Sequence, residues 1–299
     1  MHMPSAPVQP GNPVVAPQVA RIDLVVQAPD IDTPLLKSLA RLAGASAIEA
    51  LAAAETQAFR LTDPTRRAGV ADFCLEAGID FGFVPRDQRL DRVGLVAMDM
   101  DSTLITIECI DEIADMIGIK PQVAAITAAA MRGEIDFRES LTRRVALLEG
   151  LDVGALQRVY DERLCLSPGA QRMLDGFKRA GAATLLVSGG FTFFTSRLRA
   201  RLPLDHTLAN TLGVAGNQLT GRIQGTVIDA DAKAAEFKRL AKALAPGLLS
   251  VAIGDGANDL PMLGAADVSI AYHAKRVVRD QADYAIDHCG LDAILNLFG

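Results

Sequence analysis

Two aspartates two residues apart, Asp99 and Asp101, stand directly after a short apolar run at residues 94–98. Carboxylates at i and i+2 beyond a buried strand face one crevice, where one can attack an electrophile and the other can carry a proton. The same residue types also build capped turns, and Ser102 and Thr103 follow at once. A calcium loop is excluded, because neither the glycine nor the bidentate glutamate of an EF-hand follows at the required spacing. Farther on, Ser188-Gly189-Gly190 follows the apolar run 183–187 and is expected to open a helix. A hydroxyl and free N–H groups there would make an anion site, with a plain tight turn as the alternative. Lys233 sits early in a helical stretch, where a lone lysine is ordinarily a solvated charge. The run Gly254-Asp255-Gly256-Ala257-Asn258-Asp259 offers two carboxylates and an amide, oxygen ligands suited to Mg²⁺. Its glycines permit a sharp turn, so an ordinary strand-to-helix loop is again the alternative. A dinucleotide fingerprint does not fit, since the third glycine is missing.

Each of these clusters needs a strand to end on. Residues 94–98, 183–187 and 248–253 are short apolar runs of the kind buried in a parallel sheet. Helical patterns fall at 169–180, 191–202, 232–245, 258–265 and 274–282, with further strands at 268–271 and 284–286 and a hairpin-like segment at 213–228. Alternating strands and helices predict an α/β fold with a doubly wound parallel sheet, which binds ligands at the carboxyl ends of its strands. Between the first two core strands no strong strand pattern occurs. Four helices, near 110–117, 123–132, 137–148 and 153–163, predict a helical cap inserted after the first strand. Ahead of the core, strand patterns at 20–28, 45–51, 57–61 and 81–84 and helices at 34–43 and 64–77 predict a small α+β module. The expected division is a disordered leader at 1–18, the module at 19–92, the core at 93–106 and 167–299, and the cap at 107–166.

Composition narrows the function classes. A net charge of −6 and a pI near 5.3, without a Lys/Arg run, give no footprint for nucleic acid. An anionic substrate must therefore be drawn in by a local cluster. No stretch approaches the ~18 apolar residues of a membrane span, and no signal peptide is recognisable, so a cytoplasmic protein is expected. Cys74, Cys109, Cys165 and Cys289 form no Cys-x-x-Cys pair and read as free, buried, reduced thiols.

The ordered set Asp-x-Asp-x-Thr, Ser, Lys, Gly-Asp-Gly-x-Asn-Asp, each member near a strand end, resembles the haloacid dehalogenase phosphatase superfamily from residue 93 onward. Asp-Met-Asp-Ser-Thr followed by Glu108-Cys109-Ile110-Asp111-Glu112, and Phe137-x-x-Ser140-Leu141-x-x-Arg143-Arg144 in the cap, resemble its phosphoserine phosphatase branch. The resemblance implies hydrolysis of O-phospho-L-serine, the last step of serine biosynthesis, through an aspartyl phosphate on Asp99, with Asp101 as proton shuttle. It further implies Mg²⁺ held by Asp99, Asp255 and the main-chain carbonyl of Asp101. Lys233, Ser188, Gly189, Gly190 and Asn258 would meet the phosphoryl group, and Asp259 would hold Lys233 or a metal-bound water. Glu108 would bind the substrate amine and Arg144 its carboxylate, with Met131 and Phe137 closing over it. The small module resembles an ACT-like extension that could mediate a homodimer or bind free serine. The rivals are a phosphatase or phosphotransferase for another small phosphometabolite, such as phosphohomoserine or phosphothreonine, and a non-catalytic amino-acid sensor. Against the sensor stands the intact set of nucleophile, shuttle and lysine.

Overall fold

The computed structural model describes residues 21–51 and 56–299; the expected leader lies outside them. The chain opens with β1 (Ile22–Ala28), α1 (Thr33–Ala43), β2 (Ala47–Ala50), β3 (Gln57–Thr62), α2 (Val70–Ala77) and β4 (Asp80–Pro85). Asp32 caps α1 by accepting from the Leu35 N–H at 2.6 Å, and Gly44 ends it in the left-handed conformation. Leu36, Leu39, Ala40 and Ala43 form its buried face. The strands make an antiparallel sheet in the order β2-β3-β1-β4. Helix α2 is shorter than the sequence pattern predicts. The N–H groups of Thr65 and Arg66 turn back onto the Ala43 carbonyl at 3.0 and 2.9 Å, satisfying the end of α1, so a helix begins only after Gly69.

The core begins with β5 (Val93–Met98), all six residues of which are buried. Four helices follow: α3 (Cys109–Met116), α4 (Lys120–Met131), α5 (Phe137–Ala146) and α6 (Gly154–Glu162). The chain leaves and re-enters the core through a narrow neck, where Ile105 bridges Leu166 and the Thr106 N–H donates to the Cys165 carbonyl. Then come α7 (Ala170–Arg179), β6 (Ala183–Phe191), α8 (Thr192–Arg201), β7 (His206–Ala215), β8 (Gln218–Gln224), α9 (Ala230–Leu244) and β9 (Leu249–Gly254). The chain closes with α10 (Leu260–Leu263), β10 (Val268–Tyr272), α11 (Arg276–Arg279), β11 (Tyr284–Ile286) and a 3₁₀ turn over Leu291–Leu297.

These strands form one seven-stranded sheet, β11-β10-β9-β5-β6-β7-β8, parallel except for β8 at its edge. This is the expected α/β architecture with three corrections. The hairpin-like segment is the far half of a longer pair: β7 starts at His206, pairs in parallel with β6, and so extends the main sheet. The predicted helices 258–265 and 274–282 shrink to a 3₁₀ turn plus α10, and to α11. Cys165 is exposed, because it lies in the neck rather than in an element, whereas Cys74, Cys109 and Cys289 are buried thiols.

The module and the core share packing. Val25 and Val84 belong to the same apolar cluster as Tyr284, Leu297 and Phe298. Asp80, buried at the start of β4, accepts the backbone N–H groups of Asp287, His288 and Cys289 at 2.7 to 3.1 Å.

Candidate active site

Three neighbouring strand ends build the site. Met98 stands opposite Ile253 of β9 and Leu186 of β6, so Asp99, Asp255 and Ser188 emerge side by side. After Asp99 the chain makes a tight turn in which the Leu104 and Ile105 N–H groups donate five residues back, to the carbonyls of Asp99 and Met100. Ser102 takes the left-handed conformation there (φ 56°), a strained one for a non-glycine residue. The turn aims the Ser102 hydroxyl at Glu108 Oε1, 2.8 Å away, and the Thr103 hydroxyl at Asp255 Oδ1, 3.0 Å away. The sequence reading gave neither hydroxyl this task.

Lys233 is the largest departure from its ordinary fate. Only 1% exposed, it donates to Asp99 Oδ1 at 2.6 Å and Asp259 Oδ1 at 2.9 Å, and both carboxylates are buried. Asp229 caps α9 by accepting from the Ala232 N–H and thereby fixes the first turn that carries Lys233. Asp259 also accepts from the Gly256 N–H at 3.1 Å and from Asn258 Nδ2 at 3.3 Å. Burial and the Coulomb field of Asp259 push Asp99 up, Lys233 opposes them, and the two carboxylates hold the lysine firmly protonated. Asp255 is pushed up to about 6, first by burial and then by Asp259.

Asp101 points the other way. Its Oδ1 accepts the Cys109 N–H at 2.8 Å, and its Oδ2 accepts from the Ser188 hydroxyl at 3.3 Å. The Gly190 N–H donates in turn to the Ser188 oxygen at 2.8 Å. Burial raises the Asp101 pKa against these bonds, which favours a carboxyl that can deliver a proton. Gly190 is required by space: a Cβ there would stand 2.7 Å from Asp101 Oδ2 and 2.9 Å from Met100 Cε. Ser188-Gly189-Gly190 does not open a helix, as the sequence suggested. It lies within the last residues of β6, and α8 starts at Thr192, because the strand continues through a register shift to pair Phe191 with Asn210.

A cavity of about 320 Å³ opens above these strand ends and runs up to the inserted helices. Asp99, Asp101, Asp255, Gly189, Gly190 and Asn258 line it from the core. Glu108, Met131, Phe137 and Arg144 line it from the insertion, so every one of these sequence-predicted positions meets one space. Lys233, Ser188 and Asp259 do not reach its wall; they lie behind Asp99 and Asp101. Phe137 descends onto the core, its Cζ 3.0 Å from where a Cβ of Gly189 would be. Met131, 73% exposed, overhangs the opening. Glu108 stands at the mouth, its pKa pushed up to about 7 by the protein crowding it and then by Asp101. Arg144 is half-buried, its Nε donating weakly to the Ser140 carbonyl at 3.4 Å. Burial lowers its pKa while Asp111, Glu108 and Asp101 raise it, and among the described residues it makes no ion pair. The cavity therefore offers a guanidinium and a carboxylate at its upper end, neither of them in an ion pair among the described residues, above a paired nucleophile and proton carrier. Lys275, which the sequence reading missed, also lines the wall; the rule that finds strand-end residues would have found it after β10.

Asp99, Asp255 and Asp259 each bring a carboxylate oxygen within 4.8 Å of the others. Three acids around one lysine leave buried negative charge in excess, and hard oxygen donors of this kind fit a divalent cation. Asp101 contributes no carboxylate to that group, since its oxygens face Cys109 and Ser188.

The sequence model of the haloacid dehalogenase-like hydrolases matches residues 96–264, more than half of the chain. A phosphoserine phosphatase from a Polaromonas species is 49% identical over 229 residues, covering 75% of this chain and 97% of that protein. The chain belongs to the haloacid dehalogenase-like hydrolases, among their phosphoserine phosphatases. Among solved structures, a probable phosphoserine phosphatase from Vibrio cholerae superposes with a TM-score of 0.82 at 32% identity, covering 94% of this chain and 88% of that one. A phosphoserine phosphatase solved as a phospho-aspartyl intermediate analogue superposes with a TM-score of 0.64 at 35% identity, covering 70% of this chain and all of that one. Residues 24–70 match a second family model, described only as a domain of unknown function.

Proposed function

We propose that this protein hydrolyses O-phospho-L-serine to L-serine and phosphate in the last step of serine biosynthesis, with Asp99 as nucleophile. The observation that carries the reading is the single cavity that holds Asp99 and Asp101 at its floor and Glu108 and Arg144 at its upper end. A phosphate at the floor and an α-amino acid above it match that pattern of charge, and Arg grips a carboxylate through two parallel N–H groups.

The residues act as follows. The phosphate is met by the Gly189 backbone and by Asn258, while the Gly190 N–H holds the Ser188 hydroxyl behind Asp101. An Asp99 carboxylate oxygen attacks phosphorus in line as the bond to the seryl oxygen breaks, and Asp101 gives its proton to that oxygen. Asp101 then takes a proton from the water that attacks the phosphorus, and the bond to Asp99 breaks, releasing phosphate. Lys233, held by Asp259, neutralises Asp99 as charge accumulates around it. Asp99, Asp255 and the main-chain carbonyl of Asp101 would hold Mg²⁺, which would supply the positive charge that lets a dianion approach a carboxylate. We take residues 107–166 as a cap, with Met131 and Phe137 excluding water from the loaded site. The same reading assigns the protein to the cytoplasm. It also assigns the ACT-like module a role in pairing two chains, for which β2, exposed along its length and last in its sheet among the described residues, provides an edge.

Phosphate release from L-phosphoserine with Mg²⁺, beside phosphothreonine, phosphohomoserine and p-nitrophenyl phosphate, tests the reading. Preference for phosphoserine that disappears in Asp99→Asn is the expected result. A flat substrate profile would remove the Glu108/Arg144 assignment, and turnover by Asp99→Asn would remove the nucleophile.

A further inference from the structure

The cavity wall is unbalanced. Asp99, Asp101, Glu108, Asp111 and Asp255 line it against two cations, Arg144 on the inserted helices and Lys275 on the core. Lys233 is sealed behind Asp99 and already shared between two carboxylates. On the core side, where the phosphate must come to rest, Lys275 is therefore the cation that faces the cavity. Its backbone is anchored at the site, the N–H donating to the Asp255 carbonyl at 3.3 Å, just before α11 begins. Its side chain is exposed and makes no ion pair among the described residues, whereas the next two cations along the chain are committed, Arg276 to Asp280 and Arg279 to Asp287.

We propose that Lys275 recruits the phosphate of the incoming substrate at the core rim of the cavity, raising capture of the dianion without taking part in bond breaking. The inference rests on the phosphomonoesterase reading above. A chain of net charge −6 repels a dianion at long range, and an uncommitted ammonium at the mouth reverses that field locally. A charge at the rim acts on association and its salt dependence rather than on the chemical step.

The test compares the full chain with Lys275→Gln and Lys275→Arg, using L-phosphoserine with saturating Mg²⁺. At an ionic strength of about 0.01 M, where fields reach ~30 Å, Lys275→Gln should lower kcat/KM about 3- to 10-fold through KM. The gap should close near 1 M, where they reach ~3 Å, and Lys275→Arg should restore most of the loss. Inhibition by inorganic phosphate should weaken in the same proportion. A loss confined to kcat, a ratio independent of salt, or a shift in the Mg²⁺ midpoint with KM unchanged would each overturn the proposal. Failure of the underlying reading looks different: the unsubstituted chain would release no phosphate, or Asp99→Asn would still release it.

Discussion

At the scale of single residues, buried charge dominates. Lys233, Asp99 and Asp259 form a buried triad with one more carboxylate than ammonium. Lys233→Met removes the cation that two acids share, and breaking a buried pair from one side costs about 3–5 kcal/mol. Urea unfolding near neutral pH should show that loss, and it should shrink in mildly acid buffer, where the orphaned carboxylates can take protons. Glu108 carries a second expectation. With its pKa raised to about 7, the folded protein binds a proton more tightly than the unfolded chain does. Its contribution to stability is therefore fully present below the ordinary glutamate value of 4.5 and is lost as pH rises through about 7. Binding runs the opposite way, since only the ionised carboxylate attracts an ammonium. In the proposed reaction, kcat/KM should rise with pH through about 7 and fall again once Asp101, the proton donor, is ionised, and Glu108→Gln should make the rising limb shallower in a pH–rate profile.

At the scale of elements, the ends of strands and the junctions between them carry the load. Strand β5 lies between β9 and β6, and this order alone makes neighbours of Asp99, Asp255 and Ser188. The neck at Ile105 and Leu166 hands the chain to the four helices and takes it back, with the Ser167 hydroxyl donating to the Thr103 carbonyl at 2.6 Å behind the Asp255 contact. Strand β4 of the N-terminal module is tied to the loop after β11 through Asp80. Asp80→Ala would leave the N–H groups of Asp287, His288 and Cys289 unpaired in a buried seam. Hydrogen bonds to charged groups contribute about 1.5–3 kcal/mol each, part of which water entering the gap recovers, so a loss of about 3 kcal/mol is expected in chemical denaturation. Asp80→Asn, which keeps one acceptor, should lose less.

At the scale of the whole molecule, the module and the core unite through one apolar cluster, yet every residue that lines the cavity falls between Asp99 and Lys275. The candidate site therefore belongs to the core and the inserted helices. The excess of acid at the floor of the cavity makes the folded protein a better host for a divalent cation than the unfolded chain. Mg²⁺ should then raise the melting temperature by several degrees, since a ligand at 100 times its Kd adds about 2.7 kcal/mol to the folded state. Differential scanning calorimetry reads this independently of activity. A chelator should reverse the shift and abolish phosphate release together.

The sequence by itself determined the order of the chemical groups, their places after apolar runs, the α/β alternation and the acidic, weakly steering surface. These are local properties: periodicity, turn chemistry and charge are written within a few residues of one another. It also placed Asp99, Asp101, Glu108, Arg144 and Asp255 in roles that one cavity brings together. What it could not carry are the partnerships between distant positions. Nothing near Lys233 distinguishes it from a solvated helix lysine; it is buried because strand order brings α9 beneath Asp99, 134 residues away along the chain. Ser188 read as a helix opener because Gly-Gly favours a turn, but pairing with β7 kept the strand going. Helix 64–77 lost its first turn to the capping of α1, and β7 was hidden because its polar residues at 206–211 gain meaning only beside β6. Only the tertiary structure decided these matters, because burial and pairing are set by which elements meet, and a chain's local pattern does not state that.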